Sequence, residues 1–271
     1  MEFTESQIQR LREFGEGVYD QKFATPEERE KAFTEIFNDL TTKNDKAIKE
    51  MFSRPGRHML AKLEADLAAA LAKEGFIEVK TPIIISKAAL EKMTITKESQ
   101  LYRQVFSIDD KRCLRPMLAP NLYFVMRKLR DRTSGPVRIF EMGSCFRKES
   151  RSNNHLEEFT MLNLVELGPE GDPTERLRSL ISKVMDLTGL DYKTVEECSE
   201  VYKTTLDVEV GGVEVASGAV GPHVLDAAHD IHEPWCGAGF GIERLLMEIQ
   251  KKSNIKKVGK SLVYLNGAKI D

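Results

Sequence analysis

Two stretches of this sequence read as strand, short link, strand. The first runs over about residues 139–148 and 156–167, joined by a polar loop at 149–155. The second runs over 204–210 and 213–220 around Gly211-Gly212, a tight-turn signal. Links this short cannot carry a crossover, so each pair must lie antiparallel. That requirement excludes a doubly wound parallel sheet. Mixed with the helical segments around them, the hairpins predict an α+β domain with an antiparallel sheet.

Residues 1–56 read as a polar helical extension. Thr25-Pro26-Glu27-Glu28 supplies an N-cap, a proline at the first helical position and acids in the first turn. Pro55-Gly56 breaks that segment, and residues 57–271 form the main domain. Leu60, Leu63, Leu67 and Leu71 recur at helical spacing, and Gly75 stands where a helix-ending glycine belongs. Residues 76–79 and 83–85 predict short strands. Pro82 between them favours an edge or interface position. Residues 121–132 predict a helix through Leu122, Val125, Met126 and Leu129. Near the end, a glycine-rich turn at 237–241 leads into a helix through Ile242, Leu245, Leu246 and Ile249.

Composition narrows the function. The 271 residues are 41% hydrophobic and 31% charged, as in soluble globular proteins. No apolar run approaches the roughly 18 residues of a membrane span, and the first residues hold no apolar signal core. A cytoplasmic protein is expected. The four cysteines form no CxxC pair, and no acidic or cysteine partner completes a ligand set with His223, His229 and His232, so a structural zinc site is not expected. The net charge of −3 argues against a nucleic-acid partner only globally, because the charge is uneven. Residues 251–260 hold five lysines and no acid, and 121–132 holds Arg127, Lys128, Arg130 and Arg132 against Asp131.

Three segments carry chemistry. In Gly237-Ala238-Gly239-Phe240-Gly241-Ile242-Glu243-Arg244, alternate glycines let backbone approach a ligand closely. Arg244 then sits in the first turn of a helix, where anions are favoured. The run matches neither a dinucleotide fingerprint nor a P-loop. In the first hairpin, Arg147 and Glu149 share a strand face, and an arginine can grip a phosphate in bidentate fashion. On the return strand Phe159, Met161, Asn163 and Val165 share a face, with Phe159 and Asn163 about 13 Å apart. An amide in an apolar row needs a partner. The third segment, Gly75 to Pro82, shows little chemistry of its own.

In order, these segments resemble the three signature motifs of class II aminoacyl-tRNA synthetases. The sequences MLAPNLY (117–123), FRKES (146–150), HLEEFTMLN (155–163), SGAVGP (217–222), PWCGAGFGIERLL (234–246) and YLNG (264–267) resemble the pyrrolysyl-tRNA synthetase family. The likeness covers nearly the whole chain and is to the short form without a separate N-terminal tRNA-binding domain.

The resemblance implies ATP-dependent ligation of pyrrolysine, or a related N-acyl-lysine, to an amber-reading tRNA by a cytoplasmic homodimer, with residues 76–85 at the dimer interface. It implies ATP and Mg2+ as cofactors. Arg147 would contact the α-phosphate and Arg244 the γ-phosphate. Glu149 would contact the adenine end or order the tRNA acceptor, Phe159 would stack on adenine, and His155 would sit near the phosphates. Glu214 and Ser217 match the magnesium pair. Plain strand alternation puts them on opposite faces, so a bulge is predicted between them, eased by Gly218. The amino-acid pocket maps to Ala119, Leu122, Tyr123, Met126, Asn163, Val165, Tyr202 and Trp235, with Asn163 bonding the side-chain amide and Tyr202 covering the ring. Val165 stands where other members carry Cys, and Gly218 where Ala is expected, so both are expected to reshape the pocket. Two alternatives remain: a paralogue that adenylates another small acid, and a non-catalytic synthetase-like subunit. The presence of both Arg147 and Arg244 argues against the second.

Overall fold

The computed structural model describes residues 1–149, 153–198, 201–202 and 205–271. Thr204, the expected first residue of a strand, and Ser150 of the FRKES segment lie outside the described residues.

The N-terminal segment contains α1 (Glu5–Phe14) and α2 (Pro26–Ser53). Thr25 caps α2 by accepting from the Glu28 backbone, with Pro26 at the first position, as the sequence predicts. The leucine stripe forms α3 (Met59–Lys73), burying Leu60, Leu63, Leu67 and Leu71. Gly75 ends it at φ +83°. The Gly75 amide donates to Ala72 and the Phe76 amide to Leu71, which closes the last turn.

The chain then lays down β1 (Ile77–Glu78), β2 (Ile84–Ser86), α4 (Lys87–Lys92), α5 (Gln100–Arg103), β3 (Arg112–Leu114) and α6 (Ala119–Arg130). The main hairpin is β4 (Val137–Phe146) with β5 (Glu158–Leu167). After α7 (Pro173–Thr188) come β6 (Lys193–Glu197), β7 (Thr205–Val210) and β8 (Val213–Gly221). The chain ends through β9 (Trp235–Gly241), α8 (Ile242–Ile249), β10 (Tyr264–Leu265) and β11 (Ala268–Lys269).

Seven strands form one sheet in the order β1-β4-β5-β9-β8-β7-β6. Both expected hairpins pair antiparallel. The sheet is nevertheless mixed, because β1 joins β4 in parallel. The helix-to-strand connection through Gly75 delivers β1 from α3, with no tight turn to impose the antiparallel sense. The glycine-rich segment is the other correction. It is β9, paired on both sides to β5 and β8, and not a turn. Its glycines serve the sheet face rather than a chain reversal.

The sheet separates two cores. On one face Phe140, Leu162, Leu164, Ala238 and Phe240 pack under α3, α7 and α8. On the other, Ile139, Val165 and Trp235 pack with Leu122, Tyr123 and Met126 of α6. This second face also carries the cavity. The N-terminal segment is bolted to the C-terminal one by Lys257, whose Nζ donates to the Arg12 and Gly15 carbonyls and to Glu16.

Candidate active site

A cavity of about 570 Å³ opens over the second face, above β5, β8 and β9. Its floor follows from strand periodicity. Cys236, Ala238 and Phe240 point into the helix-covered core. Trp235, Gly237, Gly239 and Gly241 alternate with them and line the cavity. A Cβ at Gly239 would stand 3.0 Å from Asn163 Oδ1 and 3.3 Å from the Met161 terminal methyl. Glycine therefore leaves the floor low beside Asn163.

Every residue expected at the site lines this one cavity. Arg147, Glu149, His155, Phe159, Glu214, Ser217 and Arg244 gather at a polar end. Ala119, Leu122, Tyr123, Met126, Asn163, Val165, Tyr202 and Trp235 gather at an apolar end.

At the polar end, Arg147 follows β4, and its Nε donates to the Pro116 carbonyl at 2.9 Å. Its guanidinium lies 5.3 Å from the Phe159 ring centre. Burial lowers its pKa from the usual arginine value. Pro116 is itself fixed by its neighbour. Buried Arg115 donates to Glu141 Oε1 at 2.8 Å and to the Thr81 and Ser144 carbonyls. Thr81 donates to both oxygens of Glu141. The segment that shows little chemistry in sequence thus braces the support of Arg147.

Arg244 sits in the first turn of α8 and donates to the Glu214 carbonyl at 3.0 Å. The predicted bulge is present. β7 pairs Val208 with Ala216 but Glu209 with Glu214, so Val215 is the extra residue. Val215 and Ala216 both enter the core, which returns Glu214 and Ser217 to the cavity side. Gly218 lies beyond the bulge. A Cβ there would meet the Leu177 methyls at 3.0 and 3.1 Å, on the α7 side. Gly218 also lines the cavity with its backbone, while its missing side chain leaves room for α7.

Sequence reading missed three acids. Asp207 lines the cavity and accepts from Ser217 Oγ at 2.5 Å. In the sequence it looks like a solvent-facing residue of an alternating strand. Glu243 is buried and accepts from the Thr160 amide at 2.8 and 2.9 Å, and burial pushes its pKa up to about 6. Asp226 lies under the apolar end, in a segment without a motif.

Glu214, Asp207 and Ser217 form a set of hard oxygen donors facing the cavity. Burial raises the Glu214 pKa, Arg244 opposes the rise and Asp207 adds to it, as expected where acids crowd together. No group of three or more His, Cys, Asp or Glu ligands occurs among the described residues. Two acids suit Mg2+, which takes one or two carboxylates and completes its shell with phosphate and water.

At the apolar end the walls are Leu122, Tyr123, Met126, Val165 and Trp235, all nearly inaccessible. Asn163 stands among them. Its Oδ1 is buried with no hydrogen-bond partner among the described residues.

The two basic runs divide. Arg127 pairs with Asp230, and Arg130 with Glu233, while Lys128 and Arg132 are exposed. In the second run Lys257 is 2% exposed and internal, Lys252 pairs with Glu16, and Lys260 pairs with Glu158. Lys251 and Lys256 stay exposed. Lys128, Arg132, Lys251 and Lys256 are thus the exposed members of the two runs outside these ion pairs.

Residues 42–266 match the family described as tRNA synthetases class II core domain (F). A crystal structure of pyrrolysyl-tRNA synthetase from Desulfitobacterium hafniense superposes with a TM-score of 0.93 at 43% identity, covering 99% of this chain and 98% of that one. The chain belongs to the class II tRNA synthetases, in the pyrrolysyl-tRNA synthetase family. More distant matches are an O-phosphoserine–tRNA(Cys) ligase of Methanocorpusculum labreanum, 22% identical over 60% of this chain, and a lysine–tRNA ligase of Fusobacterium nucleatum, 32% identical over 54%. The chain spans only 33% and 25% of those two proteins. The class II family uses ATP, which accords with the polar end of the cavity. No helix among the described residues is long and apolar enough to cross a membrane.

Proposed function

We propose that this chain activates pyrrolysine, or a related N-acyl-lysine, with ATP and transfers it to an amber-reading tRNA in the cytoplasm. Residues 57–271 are the catalytic domain and residues 1–56 a helical extension. The observation that carries the substrate class is Asn163, an amide with a buried unpartnered oxygen in an otherwise apolar chamber. A secondary amide in the substrate side chain carries one N–H and one C=O. Its N–H can donate to Asn163 Oδ1 or, with the Asn163 amide turned, its C=O can accept from Nδ2. A free lysine ammonium in that chamber would be desolvated without a counter-charge.

Activation joins a substrate carboxylate oxygen to the α-phosphorus of ATP and releases pyrophosphate. The terminal ribose hydroxyl of the tRNA then attacks the acyl carbon and AMP leaves. Neither step needs a protein nucleophile; both need positioning and charge neutralisation. Arg147, fixed by Pro116, takes the α-phosphate, and Arg244, fixed by Glu214, takes the γ-phosphate. Phe159 stacks on adenine, and His155 and Glu149 border the nucleotide. Glu214 and Ser217, with Asp207 behind Ser217, would hold Mg2+, which supplies charge neutralisation on the phosphates. The exposed apolar residues Ile77, Ile83 and Ile84 suit burial in a homodimer.

Charging of an amber-reading tRNA with an N-acyl-lysine tests this reading. The expected result is acylated tRNA that depends on both ATP and the N-acyl-lysine. Adenylation without transfer would favour the small-acid paralogue. Contact with tRNA through Lys128, Arg132, Lys251 and Lys256 predicts that their neutralisation weakens charging with a reduced salt slope and spares adenylation.

A further inference from the structure

Asp226 is a carboxylate with 0% exposure in a short helical turn between β8 and β9. It touches no cavity surface, yet three elements converge on it. Tyr123 of α6 donates its hydroxyl to Oδ1 at 2.6 Å. Trp235 of β9 donates its indole N–H to Oδ2 at 2.7 Å. The His223 amide donates to Oδ2 at 2.6 Å. Tyr123 and Trp235 are two walls of the apolar end, and their rings meet edge to face at 5.9 Å. Tyr202, the third aromatic wall, lies 5.7 Å from the Trp235 ring and is hydrogen-bonded to Tyr123. His229 stacks on the outer face of Tyr123 at 4.3 Å.

We propose that Asp226 is a positioning residue that sets the shape of the amino-acid end of the cavity by anchoring the Tyr123 and Trp235 walls from behind. The inference rests on the reading of that end as the amino-acid pocket. Each ring has a polar edge that must find a partner once buried. A single carboxylate satisfies both edges and so fixes the distance between walls that belong to different elements. Selectivity among side chains that fill an apolar chamber depends on that distance. An asparagine at 226 keeps the size but turns an N–H2 toward one of the donors, so one wall loses its anchor.

The chain has one tryptophan, Trp235, so its fluorescence reports the anchor directly. The test is Asp226→Asn, measured by acrylamide quenching of that tryptophan and by ATP–pyrophosphate exchange. The expected result is stronger quenching, a KM for the preferred N-acyl-lysine raised about tenfold, an altered rank order among N-acyl-lysines, and an unchanged KM for ATP. Unchanged quenching with an unchanged amino-acid KM in a folded variant overturns the proposal. Should Asp226→Asn fail to fold, Tyr123→Phe removes one donor and keeps the ring. The same rise in amino-acid KM is expected, and its absence overturns the proposal. The wild-type enzyme separates the two readings. If no N-acyl-lysine supports exchange there, the substrate class is wrong, and quenching still decides whether Asp226 anchors the wall.

Discussion

The two ends of the cavity are built on different principles. The polar end is a set of charged and hydroxyl groups: Arg147 just past β4, Arg244 in the first turn of α8, Glu214 and Ser217 across the β8 bulge. Backbone carbonyls hold Arg147 and Arg244, and Asp207 holds Ser217. The apolar end is a set of packed surfaces, most of them from α6 and the sheet, with a single amide and a carboxylate hidden behind the wall. Charges act on charges formed in the reaction, so losing one costs rate. Surfaces act by fit, so changing one alters which substrate is accepted.

The largest effect should follow Arg147→Ala. ATP–pyrophosphate exchange is expected to fall by about 10²–10³-fold or more, with the far-ultraviolet circular dichroism unchanged. Near-normal exchange would remove Arg147 from the phosphate site. Next comes Asn163→Ala at the other end. The KM for an N-acyl-lysine should rise roughly tenfold while the KM for ATP holds, reflecting one lost hydrogen bond. Unchanged amino-acid kinetics would leave Asn163 as an ordinary core amide.

Gly218→Ala sharpens the line between pocket and core. Its new methyl meets Leu177 and the Gly237 carbonyl, so thermal stability should drop by about 1–3 kcal/mol with N-acyl-lysine selectivity unchanged. A shift in selectivity at normal stability would show that the added methyl acts on the cavity rather than on α7. The smallest effect concerns Glu243. Its pKa is raised from the ordinary 4.5 to about 6, so the native state binds a proton more tightly than the unfolded chain. That contribution favours folding below about pH 4.5 and is lost as the pH rises through 6. Glu243→Gln should therefore reduce the fall in stability between pH 5 and 7.5 by about 1–2 kcal/mol. Thermal melts at the two pH values read this difference.

Much of the polar end is legible in sequence because its residues sit at fixed offsets from turns and helix starts. Arg147, Glu149 and Arg244 follow that rule. The bulge at Val215 could be inferred because Glu214 and Ser217 had to share a side. What escaped depends on partners distant in sequence. Asp226 gains its meaning only when Tyr123, 103 residues away, reaches it. Lys257 looks like part of a basic surface until Arg12, Gly15 and Glu16 fold over it. The glycine row reads as a turn because periodicity cannot tell a reversal from a strand floor kept low for a ligand. The parallel pairing of β1 was hidden for a related reason: two residues carry no register signal.

On the proposed function, an apolar chamber with one amide selects an N-acylated lysine beside an ATP site. ATP–pyrophosphate exchange with the wild-type chain, run against the twenty standard amino acids and a series of N-acyl-lysines, tests it most directly. Exchange is expected with N-acyl-lysines, and background rates with all twenty, lysine included. Robust exchange with a standard amino acid, and none with any N-acyl-lysine, would contradict it.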